Sequence, residues 1–359
     1  MSTSAIPSNQ WSPDQAKQWY ARQPFLIGAN FLPANAINQL EMWQADTFDP
    51  RQIDWELGLA EDHCGMTTMR IFLHDLLWDS DSDGYKQRID TVLGLCEKHK
   101  IKPMLVLFDS CWDPHPKLGK QKDPMPHTHN SGWVQSPGAK ALADAAEHPR
   151  LENYIKGIVG AFANDDRILA WDVWNEPDFI NHDNYGQGGL GVELPPDEKR
   201  AHVAKLIPQV FDWVRSAGPV QPLTSGIWTG DWSSHDKLNP IQKTQIEKSD
   251  LISFHSYGKP EVFEGCVQAL QRYERPFICT EYMARSIGST FECILPLARK
   301  FNVAVLNWGL VVGKSQTHLP WRNWSQPTQS PPAGNLFHDI FWSDGTPIDP
   351  AELPVFKYK

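Results

Sequence analysis

Two glutamates in short motifs are the residues of this chain that could do chemistry together. Glu176 lies in W-D-V-W-N-E-P, residues 171–177, and Glu281 lies in P-F-I-C-T-E-Y-M-A-R, residues 276–285. Each ends an apolar run typical of a buried strand, whereas a carboxylate in an ordinary loop or helix N-cap would lack that context. Hydrolysis of a glycosidic bond needs one acid for the leaving oxygen and one carboxylate for the anomeric carbon. The pair therefore predicts glycoside chemistry.

The elements that position these glutamates follow from eight short apolar runs that alternate with amphipathic stretches. Strands are predicted at 25–30, 67–72, 103–108, 168–174, 222–226, 251–255, 276–280 and 303–307. Apolar residues spaced three and four apart predict helices between them, of which the fifth, near 240–246, has the weakest pattern. The alternation predicts one (β/α)8 barrel over residues 1–359. Strands four and seven lie on opposite sides of such a barrel, so Glu176 and Glu281 can face each other across its mouth.

An open doubly wound sheet is the competing fold. No glycine cluster opens a helix after the first strand, where Gly28 lies and where the fingerprint of that fold belongs. A G-x-G-x-x-G match at Gly186, Gly188 and Gly191 leads into two prolines instead of a helix, which indicates a loop.

Three long connections follow strands 3, 4 and 8, at residues 109–150, 177–200 and 309–350. Connections of this length are usually functional, and in a barrel they lie on the face that carries the site. Their tryptophans include Trp112, Trp133, Trp321 and Trp324. We expect them to wall in the mouth of the barrel, which favours exo-action or short substrates.

Composition excludes other classes of protein. The net charge of −10 and the lack of a basic block argue against nucleic-acid binding. No apolar stretch approaches the roughly 20 residues of a membrane helix, and no secretory signal is visible, so a cytoplasmic location is expected. The six scattered cysteines indicate buried free thiols.

With both motifs at these strands, the chain resembles the glycoside hydrolases of the large retaining (β/α)8 clan, and most of all the family 5 cellulases and mannanases. The resemblance covers roughly residues 25–307 and implies that Glu176 is the acid/base and Glu281 the nucleophile. It implies substrate-site roles for five further residues: Asn175 at the sugar 2-hydroxyl, Arg70 holding the nucleophile ionised, His255 and Tyr257 near the nucleophile, and Trp308 as the floor under the reacting sugar. No cofactor is implied, and the partner is an oligosaccharide.

The segment after the third strand departs from the family pattern. The family usually has a short polar motif with a histidine there, whereas this chain has F-D-S-C-W. Asp109 and Trp112 of this segment, and Asn30 at the tip of the first strand, are therefore the remaining candidate substrate-binding residues.

The function that follows is a retaining β-glycosidase acting on β-1,4-linked gluco-, manno- or xylo-oligosaccharides by double displacement. We expect Arg70 to lower the pKa of Glu281, and apolar neighbours to raise the pKa of Glu176. The alternatives are a transglycosylase on the same barrel and a non-catalytic carbohydrate-binding barrel. A metal-dependent hydrolase or isomerase using His115, His127 and His129 is a further alternative, although the loose spacing of these histidines favours no metal.

Overall fold

The computed structural model describes residues 10–181, 194–321 and 336–357. Eight strands lie in this part of the chain: β1 Ile27–Phe31, β2 Thr68–Phe72, β3 Lys102–Asp109, β4 Ala170–Asn175, β5 Leu223–Thr224, β6 Ile252–Ser256, β7 Phe277–Tyr282 and β8 Ala304–Trp308. All pair in parallel, in the order β5-β4-β3-β2-β1-β8-β7-β6. Ile227 bridges to Phe254 of β6 and brings the two ends of the sheet together. The predicted (β/α)8 barrel is confirmed, and the doubly wound alternative is wrong.

The α-helices of the described residues mostly lie between the strands. They are α1 Pro13–Ala21, α2 Gln39–Trp43, α3 Pro50–Leu59, α4 Asp75–Lys98, α5 Ala139–Ala143, α6 His148–Ala161, α7 Pro196–Ser216, α8 Pro240–Lys248, α9 Pro260–Leu270, α10 Phe291–Phe301 and α11 Leu353–Lys357. The weakly patterned fifth helix is α8. It begins with Asn239, whose side chain accepts a hydrogen bond from the backbone N–H of Gln242, and a proline at its first position. Because α8 is present, the strands predicted as the fourth and the seventh are β4 and β7 of the structure.

The shortest strand, β5, covers two of the five residues predicted at 222–226. The backbone N–H of the next residue, Ser225, donates to the side chain of Ser249 at 3.1 Å instead of to a neighbouring strand. The sheet therefore closes on this side through the Ile227 bridge, where the backbone N–H of Ile227 donates to Ser253 at 3.1 Å.

The N-terminal end of the barrel is closed by α1. Ala16 and Tyr20 of this helix belong to an apolar cluster with residues at or near the strand beginnings: Leu26, Met104, Leu169, Ala170, Leu251, Ile278, Ala304 and Leu306. Because this end is filled by apolar side chains, polar chemistry is left to the opposite rim, where the strands end.

The long segments after β3 and β8 lie against each other on that opposite rim. Asn130 donates its backbone N–H to the carbonyl of Ser315 at 2.8 Å, and Gln316 donates its side-chain amide to Met125 at 2.7 Å. Between β4 and α7, the described residues are 176–181 and 194–195. Gly186, Gly188, Gly191 and Trp324 lie outside the described residues.

Among the helices of the described residues, none combines the length and the apolar character needed to cross a lipid bilayer.

Candidate active site

Glu176 directly follows β4, at a strained point of the backbone. Its φ is 40°, in the left-handed region that residues other than glycine rarely adopt, and the proline that follows normally favours an extended conformation. Such strain persists only where the surrounding structure holds it, and it is typical of functional sites. The turn leaves the carboxyl buried, with 8% of the residue exposed.

Glu281 lies in β7 at an irregular part of the sheet. The pairing of β7 shifts register against β6 next to His255, and again against β8 between Cys279 and Tyr282. Irregularities of this kind re-aim side chains beside active sites. Glu281 is 5% exposed, so both glutamates are nearly closed off from bulk solvent.

The carboxyl groups of the two glutamates meet at the mouth of the barrel. An oxygen of Glu176, an oxygen of Glu281 and a ring nitrogen of His255 all lie within 4.8 Å of one another. Nδ1 of His255 is 2.8 Å from Oε1 of Glu176 and 3.5 Å from Oε2 of Glu281. The three side chains come from the ends of β4, β6 and β7, as the strand order requires.

Arg70 of β2 is fully buried and donates hydrogen bonds to four side chains. Its Nε and one terminal nitrogen donate to Oδ2 of Asp172 at 2.9 and 2.7 Å. The terminal nitrogens also donate to Asn175 at 2.7 Å, to Asn30 at 2.9 Å and to Oε1 of Glu281 at 2.9 Å. The guanidinium therefore joins β1, β4 and β7 at one depth below the rim.

The remaining oxygens of the two glutamates also have partners. Tyr257 donates its hydroxyl to Oε2 of Glu281 at 2.7 Å, and the thiol of Cys111 lies 3.3 Å from Oε2 of Glu176. Glu281 is thus bound by a cation and a phenol, whereas Glu176 is bound by an imidazole and a thiol. The environment of Glu281 therefore favours an ionised carboxylate more strongly than the environment of Glu176 does.

Burial raises the pKa of both glutamates. The pKa of Glu176 rises to about 8, which leaves this group protonated at neutral pH. Burial also raises the pKa of Glu281, against the opposing effects of Arg70 and Tyr257. Our expectation that Arg70 would bring the pKa of Glu281 below its usual range is wrong, because the loss of solvent outweighs the cation. Burial lowers the pKa of His255 to about 4, so its ring is neutral at pH 7.

Asn30 and Asp109 contact the residues that hold the glutamates. The side-chain amide of Asn30 donates to the carbonyls of Thr280 and Asn307 at 2.7 and 3.1 Å. Its side-chain oxygen accepts a hydrogen bond from Arg70. Asp109 accepts hydrogen bonds from the amide of Asn175 at 2.9 Å and from the indole of Trp133. Both candidates therefore contact residues next to the glutamates or bound to them, and neither contacts a glutamate carboxyl directly among the hydrogen bonds of the described residues.

Trp308, the last residue of β8, lies in an aromatic group with Phe72 and Trp133. Its ring meets each of theirs edge to face, with centroids 5.6 Å apart in both cases. Its indole N–H is buried and has no hydrogen-bond partner among the described residues. The ring is held in one orientation by these neighbours.

A run of neighbouring rings, which we call the aromatic rim, extends from Trp321 to Phe179 in the segment after β4. Its members are Phe179, Trp112, His129, His338, Tyr257 and Trp321, in contact order, with centroid separations of 6.1, 6.0, 5.5, 5.4 and 4.8 Å. The predicted residue Trp112 is therefore part of a wall contributed by the segments after β3, β4, β6 and β8.

The motifs left two important residues of the site unidentified. Asp172, the main partner of Arg70, is a fully buried carboxylate inside an apolar strand. Its place in the same heptapeptide as Glu176 was a usable signal, because a charge in such a strand requires a partner of opposite charge. Cys111 had no comparable signal beyond its closeness to Asp109 in sequence.

The histidine-rich segment after β3 does not gather metal ligands. In the described part of the chain, Glu176, His255 and Glu281 are the one set of three metal-capable side chains that lie close together. Nδ1 of His129 is 2.9 Å from the carbonyl of Leu319, which ties this histidine to the segment after β8.

Known proteins resemble the chain in sequence and in fold. A family model described as Cellulase (glycosyl hydrolase family 5) matches residues 56–306. The mannan endo-1,4-beta-mannosidase A of Emericella nidulans is 26% identical over 91 residues, which are 25% of this chain and 21% of that protein. The chain therefore matches only about a fifth of the length of this curated relative.

Two solved structures share the barrel. The exo-beta-1,4-mannosidase from Opitutaceae bacterium strain TAV5 has a TM-score of 0.59 at 17% identity, over 92% of this chain and 59% of that one. A variant of the GH5_18 protein from Streptomyces cattleya, in complex with Manb1-4GlcNAc, has a TM-score of 0.58 at 13% identity, over 92% and 79%. At these identities the likeness establishes the fold.

Replacing Arg70 tests whether the buried guanidinium supports the site. We expect Arg70→Met to lower the free energy of unfolding by about 3–5 kcal/mol, because Asp172 and Glu281 would lose their buried cation. The measurement is urea-induced unfolding at pH 7. Arg51→Met is the control, since the Arg51 side chain is 95% exposed and its loss should cost less than about 0.5 kcal/mol. Equal losses in the two variants would contradict the prediction.

Proposed function

Because the chain belongs to glycosyl hydrolase family 5, we propose that it hydrolyses β-glycosides with retention of anomeric configuration. The observation that supports this most is the closeness of the carboxyl groups, whose nearest oxygens lie within 4.8 Å. Retaining enzymes place the two groups about 5–5.5 Å apart, whereas inverting enzymes need about 6.5–9.5 Å to seat a water. The closeness of the nearest oxygens supports the shorter, retaining separation.

In the first step, Glu281 attacks the anomeric carbon and forms a covalent glycosyl-enzyme. Arg70 and Tyr257 hold its two oxygens at 2.9 and 2.7 Å, which fixes the carboxylate and stabilises its charge before attack. Arg70 is fully buried in the barrel and Tyr257 is partly buried just after β6, so the two contacts hold the nucleophile in place.

Glu176 protonates the leaving oxygen in that step and then removes a proton from water in the next. A group that must start as an acid at neutral pH needs a raised pKa, and burial raises that of Glu176 to about 8. Neutral His255 at 2.8 Å holds its carboxyl without adding a positive charge that would favour ionisation.

For the substrate, we propose β-1,4-linked mannosides, cut from a chain end or as short oligosaccharides. The names of the relatives support mannose, since one is a mannan endo-1,4-beta-mannosidase and another an exo-beta-1,4-mannosidase. Exo-action is supported by the near-complete burial of both glutamates and by the aromatic rim above them. An open cleft that binds a polymer along its length would expose the carboxyls more.

Sugar hydroxyl groups would find partners close to the glutamates. Among the described residues, Nε2 of His255 and Nε1 of Trp308 are buried polar atoms without a hydrogen-bond partner. Buried polar atoms are normally paired, so a bound sugar would satisfy groups that the protein leaves open.

Removal of the nucleophile should abolish turnover. We expect Glu281→Ala to lose more than about 10⁴-fold in kcat, beyond the 10²–10⁴-fold typical of a lost acid/base, because no covalent intermediate can form. Added azide should restore turnover and give a glycosyl azide of inverted configuration, identified by NMR. Glu292→Ala, on the exposed face of α10, is the control and should keep full activity. A Glu281→Ala variant that keeps a tenth of the native rate would refute this role.

Removal of the acid should depend on the leaving group. We expect Glu176→Ala to lose about 10²–10⁴-fold in kcat/KM on aryl glycosides with poor leaving groups and little on those with good ones. In the native protein, kcat/KM should fall as the pH rises through about 8, where Glu176 ionises in the free enzyme. In Glu176→Ala this alkaline limb should disappear. Equal losses on all leaving groups would contradict the acid/base role.

Product analysis tests the substrate. We expect mannotetraose to yield one short product from one chain end at early times, because the enclosed site admits only a chain end. Chromatography of products from chains labelled at the reducing end shows which bond is cut. Cello- and xylo-oligosaccharides in the same assay test the sugar. Early cleavage at internal bonds would contradict exo-action, and faster turnover of a gluco- or xylo-oligosaccharide would contradict the mannoside assignment.

A further inference from the structure

Cys111 is a cysteine in contact with one of the two glutamates. All six cysteines are free thiols, and Cys111 is buried with 7% of the residue exposed. Its sulfur lies 3.3 Å from Oε2 of Glu176 and 3.6 Å from the amide nitrogen of Asn175. Its backbone N–H donates to Asp109 at 3.1 Å, which fixes the turn that presents the thiol.

Cys111 and His255 contact different carboxyl oxygens of Glu176. The imidazole is at Oε1 and the thiol is at Oε2, so each carboxyl oxygen has one side-chain neighbour. A hydrogen bond to an ionised carboxylate stabilises the charge in proportion to the strength of the donor, and S–H is a weak donor. A thiol can therefore orient the carboxyl while favouring its ionised form less than a hydroxyl would.

We propose that Cys111 is a positioning residue for Glu176, whose thiol holds Oε2 in place while favouring the ionised carboxyl less than a stronger donor at this position would. The inference rests on the proposed function, in which Glu176 is the acid/base. The thiol itself stays protonated, because burial and the neighbouring carboxyl groups raise the pKa of Cys111 well above its usual range.

Several other charged or titratable groups face Glu176 from the packed elements. They are Arg70 on β2, Asp109 on β3, Asp178 after β4, His255 on β6, Tyr257 after β6 and Glu281 on β7. A substitution at Cys111 leaves every one of these groups in place. A shift in the pH profile of a Cys111 variant would therefore be caused by the loss or change of the thiol contact.

The test compares Cys111→Ser and Cys111→Ala with the native protein, using kcat/KM from pH 5 to 10 on an aryl glycoside with a poor leaving group. A serine hydroxyl donates more strongly and stabilises ionised Glu176, so the alkaline limb should move down by at least about half a pH unit. Alanine removes the donor, so the alkaline limb of Cys111→Ala should stay at the native pH or move to a higher pH. Alanine should also lower kcat at least about fivefold on poor leaving groups and much less on good ones.

Cys293→Ser, in the first turn of α10, is the matched control and should leave the profile unchanged. Near-UV circular dichroism and thermal unfolding establish that each variant is folded. If Cys111→Ser does not fold, the leaving-group dependence of Cys111→Ala decides the question.

The outcomes separate this inference from the proposed function. The role of Cys111 alone is overturned if the alkaline limb of both Cys111 variants stays within about 0.2 pH units of the native limb and their losses of activity are equal on all leaving groups. The proposed function fails instead if Glu176→Ala shows no leaving-group dependence and keeps the native alkaline limb. A downward shift in Cys111→Ser without one in Cys111→Ala supports the proposal.

Discussion

The buried guanidinium of Arg70 is the contact on which the arrangement of the site depends. It donates to Asn30 on β1, to Asp172 and Asn175 on β4, and to Glu281 on β7. Asp172 and Glu281 are buried and contact the guanidinium directly, so without this cation their charges would lie uncompensated away from solvent. The planar shape of the guanidinium lets it bond several oxygens at once, which a lysine ammonium could not match.

The environments of the two glutamates differ because their partners come from different strands. Glu281 meets Arg70 and Tyr257, and Glu176 meets His255 and Cys111. Burial raises the pKa of both, but only Glu281 has a charged donor in direct contact. This asymmetry matches the two roles that double displacement needs, one carboxylate and one acid, and it arises from the order of strands around the barrel.

The rim above the glutamates is built from segments far apart in sequence. The segments after β3 and β8 bond to each other through Asn130 and Ser315, and their rings meet those of Phe179 and Tyr257. Such a wall shapes the entrance without contributing to the barrel. In the proposed function, these segments shape the entrance to the two glutamates.

The sequence by itself determined the barrel and the strand tips that carry the glutamates, because apolar runs and helical spacing are local patterns. It also placed Arg70, Asn175, His255, Tyr257 and Trp308 at the same rim, since each ends or follows a strand in a fold whose order is regular. The tertiary structure alone decided which partners these groups have. Asp172 beside Arg70, Cys111 beside Glu176 and Trp133 beside Asp109 are contacts between separate strands and loops. The raised pKa of Glu281 depends on how completely those contacts exclude water, a property that no local pattern encodes.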